Sequence, residues 1–253
     1  MFHKKIILPL VTLFFVLLLW EMVTRYSGWS TNVFPGPIAV LTSMGELIAN
    51  GTLLKNTVAS LFRVSVGFTI AVTLGIPLGI IIGRLEIAKL LINPLIQFLR
   101  PISPLAWIPL AMLWFGIGDQ PAIFLIFLAS FFPIVVSTSI AVETIKPTYF
   151  QVAANFNFSR VEVFSKIVIP AITPQVITAL RIAIAIAWMV VVAAEMIAVQ
   201  SGLGYLILDS RNALRMDYVM VAMIVIGVIG LLLDSIMRAL GNIESTAWGR
   251  LTR

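Results

Sequence analysis

An all-α integral membrane protein is the fold class that the sequence predicts, and three observations predict it. Of the 253 residues, 60% are hydrophobic and 11% are charged, and the mean hydropathy is +1.07. A soluble domain of this size is not so apolar. Apolar runs near the length needed to cross a bilayer as a helix recur along the chain, and positive charges concentrate in alternate connections between these runs.

Six apolar segments predict about six transmembrane helices in one integral domain, residues 1–253, with its core at 57–241. The third segment along the chain is rich in proline. The six segments are 6–23, 57–83, 90–115, 122–142, 173–197 and 219–240.

The placement of lysine and arginine predicts the orientation, because positively charged loops stay in the cytoplasm. With the N-terminus inside, ten of the 17 lysines and arginines lie on the cytoplasmic side and four on the outer side. We therefore expect a multi-pass protein with both termini in the cytoplasm. Topology explains the net charge of +6, and no nucleic-acid partner is required.

The third segment combines polar residues with helix-breaking prolines. Gln97, Arg100 and Ser103 lie among Pro94, Pro101, Pro104 and Pro109. Irregular backbone survives at membrane depth only where protein or water satisfies its polar groups. The segment either borders a cavity or is a kinked packing helix whose Arg100 reaches the cytoplasmic interface.

Other polar groups inside apolar segments complete a predicted translocation pathway. A carboxylate inside a span is costly, so Glu195 should face a partner or water, or else reach the outer interface. Arg100 and Arg181 are expected to supply positive potential along the path of an anion. We predict that the pathway includes Arg100, Ser103, Arg181, Trp188 and Glu195.

Small residues recur every four positions in the second apolar segment, at Gly67, Ala71, Gly75, Gly79 and Gly83. This spacing predicts one helix face on which a neighbouring backbone can approach closely. It indicates packing within a bundle and says little about contact between two copies.

The polar loop at 146–170 is predicted to form two short helices, 149–156 and 160–168, that end at Pro170 and Pro174. The corner between them requires a residue that tolerates a positive φ, and asparagine is second only to glycine there. Apolar residues such as Phe156 and Phe158 on this corner suggest a surface that docks into a groove of a partner. A connector that faces lipid is the alternative.

The loop resembles that of permease subunits of bacterial ATP-binding cassette (ABC) importers, which follows E-A-A-x-x-x-G, nine residues, and then I-x-x-P. Gln151, Ala153, Asn157, Ile167 and Pro170 fall on that spacing, and Ala154 belongs to the same predicted coupling site. The chain departs from the pattern with Gln151 for glutamate, Val152 for the first alanine and Asn157 for glycine.

The resemblance extends over residues 34–234 and is greatest to the branch that imports nitrate, sulfonates such as taurine, and related solutes. The segment WFGIG at 114–118 is closer to the sulfonate and taurine members. The resemblance implies a permease of the type I importer kind in a bacterial inner membrane, working as a homodimer. Its partners would be two cytoplasmic ATPase subunits, docked on a cytoplasmic coupling loop, and an extracytoplasmic solute-binding protein.

Other features of the sequence argue for or against competing functions. It contains no GxxxxGK[ST] phosphate-binding motif, which is consistent with energy supplied by a partner. A self-sufficient channel or secondary transporter remains the alternative, although Glu195 is the one carboxylate that approaches mid-membrane. Cysteine is absent and histidine occurs once, so we expect no catalytic residue, metal site or cofactor.

Overall fold

The computed structural model describes residues 2–26, 28, 30 and 33–248, and no side chains at 2–6, 9, 10 and 242–248. Every regular element in the described part of the chain is helical, which confirms the all-α fold class. The elements are α1 (Phe2–Tyr26), α2 (Pro37–Ala49), α3 (Thr52–Arg84), α4 (Glu86–Leu99), a 3₁₀ turn (Pro104–Trp107), α5 (Ile108–Phe115), α6 (Asp119–Glu143), α7 (Pro147–Asn155), α8 (Arg160–Val163), a π-helical turn (Phe164–Val168), α9 (Ile169–Ala198), α10 (Leu203–Asn212) and α11 (Met216–Trp248).

In the part of the chain that the structure describes, four helical segments are long and apolar enough to cross a membrane: α3, α6, α11 and the continuous stretch from α8 to α9. A fifth span is broken, because α4 and the segment Pro104–Phe115 meet at an angle of 87°. This break lies among the prolines that predicted an interruption. The sixth span stays a prediction, although α1 is a helix of 25 residues.

The glycine stripe of α3 lies directly against α6. A Cβ atom added to Gly79 would lie 2.7 Å from the carbonyl oxygen of Val135, and one added to Gly83 would lie 2.7 Å from that of Ser139. Side chains larger than hydrogen therefore cannot fit without separating the two backbones. The small-residue spacing serves packing within the chain.

We expect Gly79→Ala to destabilise the solubilised protein by about 1–3 kcal/mol, because the added methyl group overpacks the contact between α3 and α6. Gly227 of α11 is the matched control, since a Cβ there would meet no atom within 4 Å. Gly227→Ala should be neutral or stabilising by up to about 1 kcal/mol. Thermal unfolding, followed by size-exclusion chromatography, measures the stability of both variants. Equal shifts of the unfolding temperature in the two variants would contradict the assigned packing of α3 on α6.

Helix α2 begins at Pro37 and covers the end of the bundle opposite the 146–170 loop. Its Ser43 hydroxyl donates a hydrogen bond to Asp217 Oδ2 at 2.6 Å. The Tyr218 hydroxyl donates to Glu46 Oε2 at 2.9 Å. These bonds fix α2 to the first turn of α11.

Candidate functional site

The 146–170 loop forms two helices joined at a tight corner. Asn157 has a φ of 55°, which is the conformation that the sequence predicted for this position. Ser159 caps α8: its backbone N–H donates to Glu162 Oε2 at 3.0 Å, and Glu162 N–H donates to Ser159 Oγ at 3.3 Å. This reciprocal pair is a capping box, and it fixes the direction in which the chain leaves the corner.

The loop has a buried base. Ala153 is 2% exposed and packs in a cluster with Ile145, Ile167 and Val168. Two of the predicted coupling residues, Ala153 and Ile167, therefore hold the loop on the bundle. Neither side chain is exposed on the surface of the loop.

The opposite side of the loop carries exposed apolar side chains. Phe156 is 72% exposed and Val161 is 75% exposed, and Val152 and Phe164 are also exposed. We call these four residues the loop surface. Among the other predicted coupling residues, Gln151, Ala154 and Asn157 are exposed and Pro170 is half-buried.

Pro170 and Pro174 do not end the second loop helix as the sequence predicted. The helix continues through a π-helical turn, Phe164–Val168, directly into α9. Proline lacks the N–H group that would bond to the carbonyl four residues earlier, and a locally wider turn relieves that constraint. The loop is thus continuous with a membrane-spanning helix.

We expect Asn157→Ala to destabilise the loop by about 1 kcal/mol. Alanine has a Cβ atom, which makes the left-handed conformation unfavourable, and it lacks a side chain that could form a local hydrogen bond there. Asn157→Gly should preserve the corner or strengthen it. Limited proteolysis at the loop measures both variants. Equal cleavage of the alanine and glycine variants would contradict this assignment.

Arg100 and Ser103 lie at the break between α4 and α5. Arg100 borders a pocket of about 280 Å³ together with Trp107, and Phe132 of α6 and Ile186 of α9 line the other side. Within the described residues, the Arg100 guanidinium has no ion-pair or hydrogen-bond partner. The Arg100 side chain is exposed, so the cavity and the guanidinium at the cytoplasmic interface both stay predictions.

Two other predicted pathway residues have structural partners. Arg181 pairs with Asp234, which also accepts a hydrogen bond from Arg238 at 2.8 Å. Trp188 is buried, and its indole N–H donates to the carbonyl oxygen of Ile226 at 3.0 Å. Arg181 thus shares the Asp234 carboxylate with Arg238, and Trp188 belongs to the core.

Glu195 is fully buried and paired with Arg63, a residue that sequence reasoning did not assign to the site. Arg63 is 1% exposed, and its Nη1 lies 2.5 Å from Glu195 Oε1. The guanidinium also reaches Asp119 at 2.7 Å and the carbonyl oxygen of Ser201 at 2.8 Å. The presence of an arginine inside an apolar run was the signal that could have revealed it.

Backbone groups complete this network, which joins α3, α6, α9 and α10. The Gly204 N–H donates to Glu195 Oε2 at 3.0 Å, and Ser60 Oγ donates to the same oxygen at 2.8 Å. Gly202 has a φ of 107°, and a Cβ there would overlap the Glu195 carboxylate. We call Ser60, Arg63, Asp119, Glu195 and Ser201 the buried ionic network.

The described residues include no group of three or more histidines or carboxylates that could hold a metal ion.

The membrane spans, the broken helix and the exposed loop surface of this chain are together typical of a membrane transport protein. The chain belongs to the family of binding-protein-dependent transport system inner membrane components, whose model matches residues 75–242. It is therefore a permease subunit of an ABC importer, a transport component and not an enzyme.

Curated relatives support the same family. A putative ABC transporter permease of Methanocaldococcus jannaschii is 38% identical over 240 residues, which cover 93% of this chain and 90% of the relative. The nitrate import permease protein NrtB of Synechocystis is 36% identical, covering 92% of this chain and 87% of the relative. The putative aliphatic sulfonates transport permease protein SsuC of Bacillus subtilis is 32% identical, covering 94% and 84%.

A solved structure shows the same fold. It is an inward-facing conformation of the MetNI methionine ABC transporter, which matches with a TM-score of 0.59 at 16% sequence identity. The match covers 74% of this chain and 95% of that chain.

Proposed function

We propose that this permease imports a small anion, with a sulfonate such as taurine as the first candidate. The unpaired Arg100 beside the pocket at the broken span is one support, because a cation within an apolar segment favours an anionic ligand. The relatives named for nitrate and aliphatic sulfonates are the second support. WFGIG at 114–118 favours the sulfonate group.

The loop surface is the observation that carries the proposed mechanism. Exposed apolar side chains above a buried base suit a partner with a complementary groove. We assign that partner role to a cytoplasmic ABC ATPase, with the loop at 146–170 as the coupling element. Closure of the ATPase pair would move the loop, and the π-helical turn would carry the movement into α9.

The rest of the assembly follows the same proposal. Residues 1–253 form one permease domain, and two copies form the pathway in the inner membrane of a bacterial cell. Both termini and the loop lie in the cytoplasm, and an external solute-binding protein docks at the opposite end. The loaded binding protein must prefer one permease conformation, since a ligand shifts an equilibrium only through differential affinity.

A secondary transporter receives less support. Within the described residues, the carboxylates deep in the long helices, Glu195 and Asp234, are both paired with arginines. Coupling to protons or sodium ions would require such a group to change its partner.

ATP hydrolysis by the reconstituted permease and its neighbouring ATPase tests the proposal. The binding protein is added after loading with taurine, an alkanesulfonate, nitrate or bicarbonate, and the unloaded protein is the control. We expect one loaded form to stimulate hydrolysis, which identifies the substrate. If the ATPase does not associate with the permease, the assigned loop role is wrong.

A further inference from the structure

The turn between α10 and α11 holds a leucine in an unfavourable backbone conformation. Leu214 has a φ of 59°, in the left-handed region that glycine adopts freely and bulky residues rarely adopt. The Leu214 N–H donates to the carbonyl oxygen of Arg211 at 3.1 Å. The Arg215 N–H donates to that of Ser210 at 2.9 Å. These two bonds define a Schellman motif, in which glycine is the usual residue at the position of Leu214.

The Leu214 side chain does little to offset this strain. It is 73% exposed, so packing within the chain contributes little. The apolar contact that often accompanies a Schellman motif would join positions that Ser210 and Arg215 occupy here. The nearby Arg211 and Asn212 are exposed and polar, so the leucine is an isolated apolar side chain. Backbone strain that the fold does not require is a mark of a functional position.

Interactions at the start of α11 hold the turn in place. The Arg215 guanidinium lies over the Tyr218 ring, 3.8 Å from the ring centroid. It also donates to Asp217 Oδ2 at 2.7 Å and reaches Glu46 of α2 at 3.3 Å. The turn therefore presents Leu214 on a fixed support.

The other end of α10 is bound to the buried interior. The Gly202 N–H donates to Asn56 Oδ1 at 2.8 Å, and the Leu203 N–H donates to Ser60 Oγ at 2.9 Å. Ser60 belongs to the buried ionic network, which also contains Glu195 of α9. Helix α10 thus connects the exposed turn to a helix that continues into the 146–170 loop.

We propose that this turn, with Leu214 at its tip and Arg211 beside it, is the docking site of the external solute-binding protein. The turn lies next to α2, at the end of the bundle opposite the 146–170 loop, which is the outer end in the proposed orientation. Within the described residues Arg211 pairs with no carboxylate. The matching surface is therefore an apolar recess for Leu214 with a carboxylate beside it. The inference rests on the proposed function and assigns the residues of its outer contact.

The affinity of the binding protein for the permease–ATPase complex in lipid nanodiscs tests this site, with taurine, an alkanesulfonate, nitrate or bicarbonate loaded in turn. We expect Leu214→Asn to lower the affinity at least about tenfold, as for a contact at the centre of an interface. Arg211→Glu should also lower it, because like charges would then meet. Leu54→Asn is the matched control, since Leu54 is 69% exposed within the regular helix α3, and it should bind as the parent does.

Thermal unfolding separates docking from a role in the fold. Asparagine tolerates the left-handed conformation, so Leu214→Asn should unfold at the same temperature as the parent or higher. Weaker docking by a variant of undiminished stability supports the proposal. A lower unfolding temperature would overturn it, because the leucine would then serve the fold.

The remaining outcomes distinguish this inference from the proposed function. If the parent binds one loaded form and Leu214→Asn binds it equally well, the docking site alone is wrong, and Leu214 contacts lipid. An equal loss of affinity in Leu54→Asn would also overturn the assigned site. If the parent copurifies with the ATPase but binds no loaded form, the proposed external partner is wrong and the docking site with it.

Discussion

Arg63→Met lowers the free energy of unfolding by about 3–5 kcal/mol, the loss expected when one partner of a buried ion pair is removed. Glu195 is 0% exposed, so its carboxylate would remain in the interior without a counter-charge. The Ser201 carbonyl oxygen would lose its donor as well. Thermal unfolding of the solubilised protein measures the effect.

Two further variants make this prediction specific. Asp119 is 53% exposed, so Asp119→Asn should cost much less than Arg63→Met, because exposed pairs are screened by water. Arg63→Met combined with Glu195→Met should recover much of the loss, since apolar replacements remove both desolvated charges. A double variant less stable than Arg63→Met would contradict this account of the buried ionic network.

Phe156→Asp abolishes coupled uptake while leaving the stability of the permease unchanged. The side chain is exposed, so a carboxylate there stays hydrated in the isolated chain. In a docked complex the same charge would be buried in an apolar groove. Loss of a central apolar contact typically costs an interface about 2 kcal/mol or more, on the order of 30-fold in affinity. Copurification with the ATPase and uptake by vesicles measure the two consequences.

Phe156→Leu is the matched control, because it keeps an apolar side chain and should retain most uptake. Ala153→Asp is not a suitable probe of docking, although its sequence position suggests one. Ala153 is buried in the loop base, so a carboxylate there would unfold the loop itself. Normal uptake by Phe156→Asp would contradict the proposed docking of the ATPase on the loop surface.

Hydropathy, proline placement and small-residue spacing predicted much of the fold because these signals are local. The break of the third span and the close contact along the glycines of α3 both follow from such signals. The continuation of the loop helix through Pro170 was not predictable, because a π-helical turn has no clear sequence signature.

At the candidate site as well, the features that depend on local sequence were predictable and the long-range contacts were not. The left-handed corner at Asn157 was predicted from the backbone preference of one residue. The pairing of Glu195 with Arg63 was not predicted, because it joins residues 132 positions apart. Which side of the loop faces the bundle also depends on tertiary packing, so the sequence alone did not show that Ala153 is buried in the loop base.

Cross-linking from the loop surface tests the central claim most directly. The chain has no native cysteine, so Val161→Cys provides a single reactive thiol at an exposed position. The account predicts that this thiol cross-links to the ATPase subunit and that a membrane-impermeant reagent reaches it only from the cytoplasmic side. If Val161→Cys reacts only from outside and forms no link to the ATPase, both the orientation and the coupling role of the loop are wrong.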